Sequence, residues 1–172
     1  MRNATFATMA GLAMFGTILC AQSVTYDFDR SANFSRFKTY TWVRGTNLND
    51  QLNHQRIVRA VDAQLTARGF SRVEAASNPD VLVAYHASFD KNLQINAFGS
   101  SPRVGFRSGT ATVEEIGVGT LAIDMMDPQT KNIVWRGMAT KELDAKASPE
   151  KKEKNINKAA ERIFKNYPPA GR

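Results

Sequence analysis

Two runs in the second half of the chain, TATVEEIGVGTLAIDMMD (Thr110–Asp127) and NIVWRGMATKEL (Asn132–Leu143), alternate apolar and polar residues over their whole length. A period of two places successive side chains on opposite faces, which is the pattern of a half-buried strand and not of a helix. The link between them, Pro128-Gln129-Thr130-Lys131 with Asp127 before it and Asn132 after it, is turn-like. Strands joined this closely pair antiparallel, because a parallel return needs a long crossover. The chain is therefore committed to a sheet containing one long hairpin. Trp135 is expected on the strand face shared by Ile133 and Gly137, the face that helices would cover.

The other segments fit around that hairpin. VTYDFDR alternates, with Val24, Tyr26 and Phe28 on one side and Thr25, Asp27 and Asp29 on the other, and reads as a strand. SANFSRF turns the chain, and KTYTWV (Lys38–Val43), β-branched and aromatic, reads as a second strand. A helix follows, capped by Asn49 or Asp50 and closed at Gly69, with Phe70 as the apolar follower. Its apolar face carries Ile57, Val58, Val61 and Leu65. After the turn signal SNPD, VLVAYHASF reads as a buried strand. Lys91–Gly109 lacks a sustained period and reads mostly as loop, with LQINAF as its one candidate strand. A last helix starts at Ser148 as cap with Pro149 in its first position and stops at Pro168-Pro169. This order predicts an α+β fold, a mainly antiparallel sheet with two helices packed on one face as a two-layer sandwich. Strand order stays open.

The N-terminal segment is of a different kind. Arg2 precedes the apolar stretch Phe6–Leu19, which is shorter than the roughly 20 apolar residues that span a bilayer. It reads as a signal peptide over residues 1–21, cut after Ala21 or Ser23, and not as a transmembrane anchor. One domain, residues 22–172, then remains. Cys20, the chain's one cysteine, is the alternative: lipid attachment there would make an outer-membrane lipoprotein. Leu19 is bulky where the lipoprotein site takes a small residue, which disfavours that route. Cleavage past Cys20 leaves a domain without disulfides, held together by its core alone. Losing Arg2 lowers the formal charge from +7 to +6, a basic balance that suits anionic partners.

The blocks YDFDRSANFSRFKTYTWV, NPDVLVAYHAS, GTLAIDMMDPQTKNIVWRGMATKEL and NKAAERIFKNYPP together resemble the bacterial domain-of-unknown-function family 4136. The resemblance covers the whole of the expected mature chain. It implies a small envelope protein, since many members are lipoproteins, and it implies no catalytic activity. This chain departs from the lipoprotein members at the residues before Cys20.

The residues themselves point the same way. His54, on the apolar face of the first helix, and His86, on a strand, have no partner at a metal-motif spacing and read as satisfied, partly buried side chains. Asp27 and Asp29 share a strand face, too few oxygens for a calcium site, and read as solvated. Asp127 before Pro128 reads as turn chemistry. GSSPRVGFRSG (Gly99–Gly109), with Arg103 and Arg107, lacks the lysine–hydroxyl pair of a phosphate loop. Trp42 and Trp135 are too sparse for a nucleic-acid stacking platform and read as packing. No cofactor or metal motif and no catalytic constellation is present, so the expectation is a non-enzymatic protein.

The best-ordered charge pattern is on the last helix. Lys151, Lys154, Lys158, Arg162 and Lys165 follow a helical spacing and project within an arc of about 80°. Opposite them stand Ile156, Ala160, Ile163 and Tyr167. Glu150 and Glu161 lie four residues before Lys154 and Lys165, in position for favourable pairs. The stripe is a candidate surface for an anionic lipid headgroup or acidic glycan, set against an ordinary solvated face. The chain reads as an exported interaction module of the periplasm or envelope. Its expected partner is an envelope protein or anionic surface component, not nucleic acid.

Overall fold

The computed structural model describes residues 23–46, 50–96 and 112–169. The leader with Cys20, the alternative cap Asn49 and the Gly99–Gly109 segment with Arg103 and Arg107 lie outside those residues. The elements in order are β1 (Ser23–Phe28), β2 (Thr39–Trp42), α1 (Gln51–Thr66), β3 (Ser71–Arg72), β4 (Val81–Asn96), β5 (Thr112–Met126), β6 (Ile133–Asp144) and α2 (Pro149–Phe164). The strands form one sheet in the order β1-β6-β5-β4-β2-β3.

The sheet is mainly antiparallel, as expected, but it is mixed and not purely so. β1, β6, β5 and β4 pair antiparallel in sequence across the sheet, whereas β2 pairs parallel with both β4 and β3. The cause is α1: a helix between β2 and β4 returns the chain to its starting end, as a parallel pair requires. β4 continues without a break through Lys91 and Asn92, expected as loop, into Leu93–Asn96, the start of the candidate strand LQINAF, and this stretch pairs with residues 112–117 of β5. Long partner strands supply the ladder bonds that a weak local pattern did not announce. The short β3 has no sequence pattern at all; Ser71 N–H donates to Lys38 O at 2.8 Å and Val73 N–H to Tyr40 O at 2.8 Å.

The hairpin forms as its alternation requires, with one irregularity. Met125 faces Trp135 but Met126 faces Ile133, so Val134 is an extra residue and the register shifts. That bulge turns Ile133 to the outside, where it is exposed, and separates it from the buried face of Trp135 and Gly137. At the turn, Asp127 Oδ1 accepts from the backbone N–H of Gln129 (2.9 Å) and Thr130 (2.8 Å), and these bonds hold its carboxyl below the usual range.

Both helices begin at their caps and α1 ends at its glycine signal, but α2 ends at Phe164, short of the expected stop at Pro168-Pro169. Asp50 caps α1 by accepting from Asn53 N–H at 3.0 Å, and Ser148 caps α2 by accepting from Lys151 N–H at 3.3 Å. Gly69 follows α1 with φ +84°, a conformation that glycine adopts without a Cβ penalty, and Phe70 N–H reaches back to Leu65 O at 3.1 Å. Ile57, Ala60, Val61 and Leu65 of α1 and Ala160, Ile163 and Phe164 of α2 are buried in one cluster with sheet residues. The sheet contributes rows of paired residues to that cluster: Val83, Met125 and Trp135 in one, Tyr85, Ile123 and Gly137 in the next. Tyr167, read as part of the helix, lies beyond it but is buried in the same cluster, with its ring 5.3 Å from that of Trp135.

Candidate functional site

In the two rows just described Trp135, Met125, Tyr85 and Ile123 fill the face, and the Trp135 ring covers Gly137. The rows beyond begin with smaller residues. They run Ala87–Leu121–Ala139, then Phe89–Gly119–Lys141, and Gly117 faces Leu143 beyond them. Ala87 and Ala139 leave open the space that Trp135 and Met125 occupy further along, while the side chains of Phe89 and Leu143 lie over Gly117 and Gly119 and close its far end. The result is a cleft of about 400 Å³ between the strands and the first turns of both helices. That volume lies in the range of about 300–1,000 Å³ typical of small-molecule sites. Its floor is Ala87, Leu121 and Ala139, and α2 adds Ile156 and Ala159 as an apolar wall.

Charged groups ring the cleft. Lys141 Nζ donates to Asn155 Oδ1 at 2.8 Å, its one partner among the described residues. Lys152 also lines the cleft, and no acidic side chain among the described residues pairs with it. The two acids of the lining are already engaged. Asp50 accepts from Asn53 N–H and from Asn53 Nδ2 at 2.8 Å. Asp144 accepts from Lys146 N–H at 2.8 Å and from Lys151 Nζ at 3.3 Å, and these bonds lower its pKa. The sequence named Asp50 as a cap and Ile57 and Ile156 as helix-face residues, but it did not bring the lining of the cleft together as a site. A signal was present: Lys141 occupies the inward register of Trp135, Gly137 and Ala139, where an ammonium is costly to bury.

On the opposite face of the sheet, Asp124 is 2% exposed and Arg136 clamps it with two hydrogen bonds of 2.6 Å. The hairpin register sets Asp124 directly across from Arg136. His86 Nε2 approaches Asp124 Oδ2 at 3.3 Å, while His86 Nδ1 accepts from Thr46 N–H at 3.2 Å and stands 3.0 Å from Thr46 Oγ1. Aspartate, histidine and hydroxyl in a row have the order of a nucleophile relay. Here the Nδ1 lone pair already faces the Thr46 amide proton, so the row braces the segment after β2 against β4. Gly45 in that segment runs so close to Tyr85 O that a Cβ would collide with it. His54 is partly buried and its Nδ1 lies 2.6 Å from the Tyr85 hydroxyl, the satisfied position that the sequence suggested.

Asp62 of α1 ties the helix to the sheet. Its Oδ1 accepts from the Tyr40 hydroxyl at 2.6 Å and from Trp42 Nε1 at 2.8 Å, and its Oδ2 from Arg72 at 3.3 Å. Burial, and then the adjoining carboxylate, push the Tyr40 phenol above its ordinary range. Trp42 is accordingly a packing residue, as read. Asp27 and Asp29 do not converge: Asp29 accepts from Ser31 N–H and Oγ in a turn, and Asp27 from Phe28 N–H.

The basic residues of α2 divide. Lys151 is paired with Asp144, and Arg162 is partly buried and also has a partner. Lys154, Lys158 and Lys165 are exposed without an acidic partner among the described residues. Neither Glu150–Lys154 nor Glu161–Lys165 closes into an ion pair there.

Among the described residues no helix is long and apolar enough to cross a membrane. No functionally curated protein matches the chain. Among solved structures, a DUF4136 family protein from Bacteroides thetaiotaomicron is 15% identical with a TM-score of 0.54, the match covering 86% of this chain and 96% of that one. A PDZ domain protein from Parabacteroides distasonis is 18% identical with a TM-score of 0.59, the match covering 89% of this chain and 37% of that protein's length. At these identities the likeness is one of fold. The model of the family described as "Domain of unknown function (DUF4136)" matches residues 24–169, and the chain belongs to that family.

Proposed function

We propose that the chain is an exported, envelope-associated and non-catalytic binding module with a two-layer fold, and that it binds through the cleft over β4, β5 and β6. The observation that carries the reading is the composition of that cleft: an apolar floor of Ala87, Leu121 and Ala139 within a ring of charged groups whose acids are already hydrogen-bonded. Such a site holds a ligand on its apolar floor, and its two carboxylates are occupied by hydrogen bonds. Export rests on the leader that precedes Val24, and the periplasm is the compartment it serves.

Intact-mass and N-terminal analysis of the protein from its host's envelope fraction test both halves. The expected mature N-terminus is Gln22 or Val24, without lipid; an acylated Cys20 would make the protein an anchored lipoprotein instead. Native mass spectrometry should show a small molecule retained by the wild type and lost from Ala159→Phe, which fills the cleft. An unprocessed leader, or equal retention by both proteins, sinks the proposal.

A second reading is supported by the exposed, acid-free Lys154, Lys158 and Lys165. These would attract an anionic lipid headgroup or acidic glycan to the outer face of α2.

A further inference from the structure

We infer that the cleft takes a single-chain amphiphile with an anionic head, its tail on the apolar floor and its carboxylate or phosphate between Lys141 and Lys152. The inference rests on the cleft being the binding site and adds the class of its ligand.

Two features of the cleft point to this chemistry together. The first is an apolar interior of about 400 Å³, too small for a folded partner's surface element and suited to one flexible chain. The second is an imbalance in how its charges are satisfied. The carboxylates of Asp50 and Asp144 accept bonds from Asn53, Lys146 and Lys151. The two ammonium groups have no such compensation. Lys141 is bonded to a neutral amide, and Lys152 has no acidic partner among the described residues.

The two lysines also act from the same side. Lys152 and Asn155 are three residues apart on α2 and so are neighbours on one helix face, and Asn155 is the residue that Lys141 reaches. An ordinary surface lysine stands clear of the core. Lys141 instead projects in the register of the buried Trp135 and Ala139, at the edge of the apolar floor, and is itself half-buried. An anionic head placed there accepts hydrogen bonds from both lysines and compensates their charge, which a neutral head does not.

Calorimetric titration of the purified protein with decanoate, decyl phosphate, decanol and acetate tests the assignment. The expected result is one-to-one binding of at least one anionic amphiphile, about tenfold or more tighter than decanol, with no detectable binding of acetate. The preferred head, carboxylate or phosphate, identifies the source of the ligand. Lys141→Gln combined with Lys152→Gln should reduce the anionic probe to the affinity of decanol, with circular dichroism unchanged. Ala159→Phe should abolish binding of every probe. Decanol binding as tightly as the anionic probes, or the double variant keeping their preference, overturns the anionic class while leaving the cleft as a binding site. Undiminished binding by Ala159→Phe overturns the cleft itself.

Discussion

The indole of Trp135 stacks on the ring of Phe164 with centroids 5.3 Å apart and planes inclined by 22°. One ring belongs to the central hairpin and the other to the last helix, and neither is exposed to solvent. This contact joins the two parts of the chain whose sequence patterns are clearest. Replacing Trp135 by Ala removes the largest buried ring, and the surrounding strands cannot collapse to fill the space. The expected loss is about 3–5 kcal/mol in denaturant unfolding. A loss below about 1 kcal/mol would mean that the ring is not part of the core.

Gly137 is held small by the same pair of elements. A Cβ there would stand 2.5 Å from Trp135 Cη2 and 2.6 Å from Ile163 Cγ2, closer than side chains tolerate. Gly137→Ala should therefore destabilise the protein by about 1–3 kcal/mol through overpacking. Combining it with Ile163→Ala, which removes the obstructing Cγ2, should cost less than the sum of the two single changes. Strict additivity of the two changes would argue against the contact.

What the sequence made legible follows from the range of each signal. Caps, the Gly69 stop and the alternation of β5 and β6 act within a few residues, and each stands where local chemistry puts it. The parallel pairing of β2 with β4 depends on where α1 deposits the chain, which no local pattern records. β3 exists because β2 offers it an edge, and the bulge at Val134 depends on how two strands meet. The α2 stripe was legible as a periodic set, but the pairing of Lys151 with Asp144 needed the end of β6 brought to the start of α2. The cleft was the hardest feature to read. It arises where Ala87 and Ala139 come into register on either side of Leu121, and sequence alone does not order those three strands.

Asp80 provides a test of pH dependence. Its carboxylate accepts from the backbone N–H of Lys38 at 2.9 Å and of Thr39 at 2.8 Å, and from Thr39 Oγ1 at 2.9 Å. The Lys38 N–H bond leads the effects that lower its pKa, and burial opposes them. A depressed folded-state pKa means that the stabilisation is fully present above the unfolded value of about 3.9 and is lost as pH falls through the folded value. Stability measured from pH 5 down to pH 2 should decline more steeply for the wild type than for Asp80→Asn. Parallel curves would remove Asp80 from the acid response.

The Asp124–Arg136 clamp predicts an asymmetry between its partners. Arg136→Gln leaves a buried carboxylate with His86 alone beside it, and should cost about 1–3 kcal/mol. Replacing both, as Asp124→Asn with Arg136→Gln, removes the uncompensated charge. The double variant should then be more stable than the sum of the single changes implies. Independent, additive effects would show that the two groups do not interact in solution.

The outer face of α2 yields the last prediction. Lys154, Lys158 and Lys165 project within about 40° of one another around the helix, by its rotation of roughly 100° per residue. All three are exposed, and neither Glu150 nor Glu161 closes an ion pair with them among the described residues. Exposed charges of one sign act over a distance set by salt, about 30 Å at 0.01 M and about 10 Å at 0.1 M. If this face meets an anionic surface, the protein should sediment with phosphatidylglycerol vesicles at the lower salt and be released at the higher. Gln at all three positions should abolish sedimentation without changing the unfolding midpoint, because none of these side chains is packed. Cleft variants such as Lys141→Gln should leave it intact, since that lysine lies on β6 and reaches Asn155 and not the outer stripe of α2. Equal sedimentation of wild type and triple variant would assign the stripe to solvation alone.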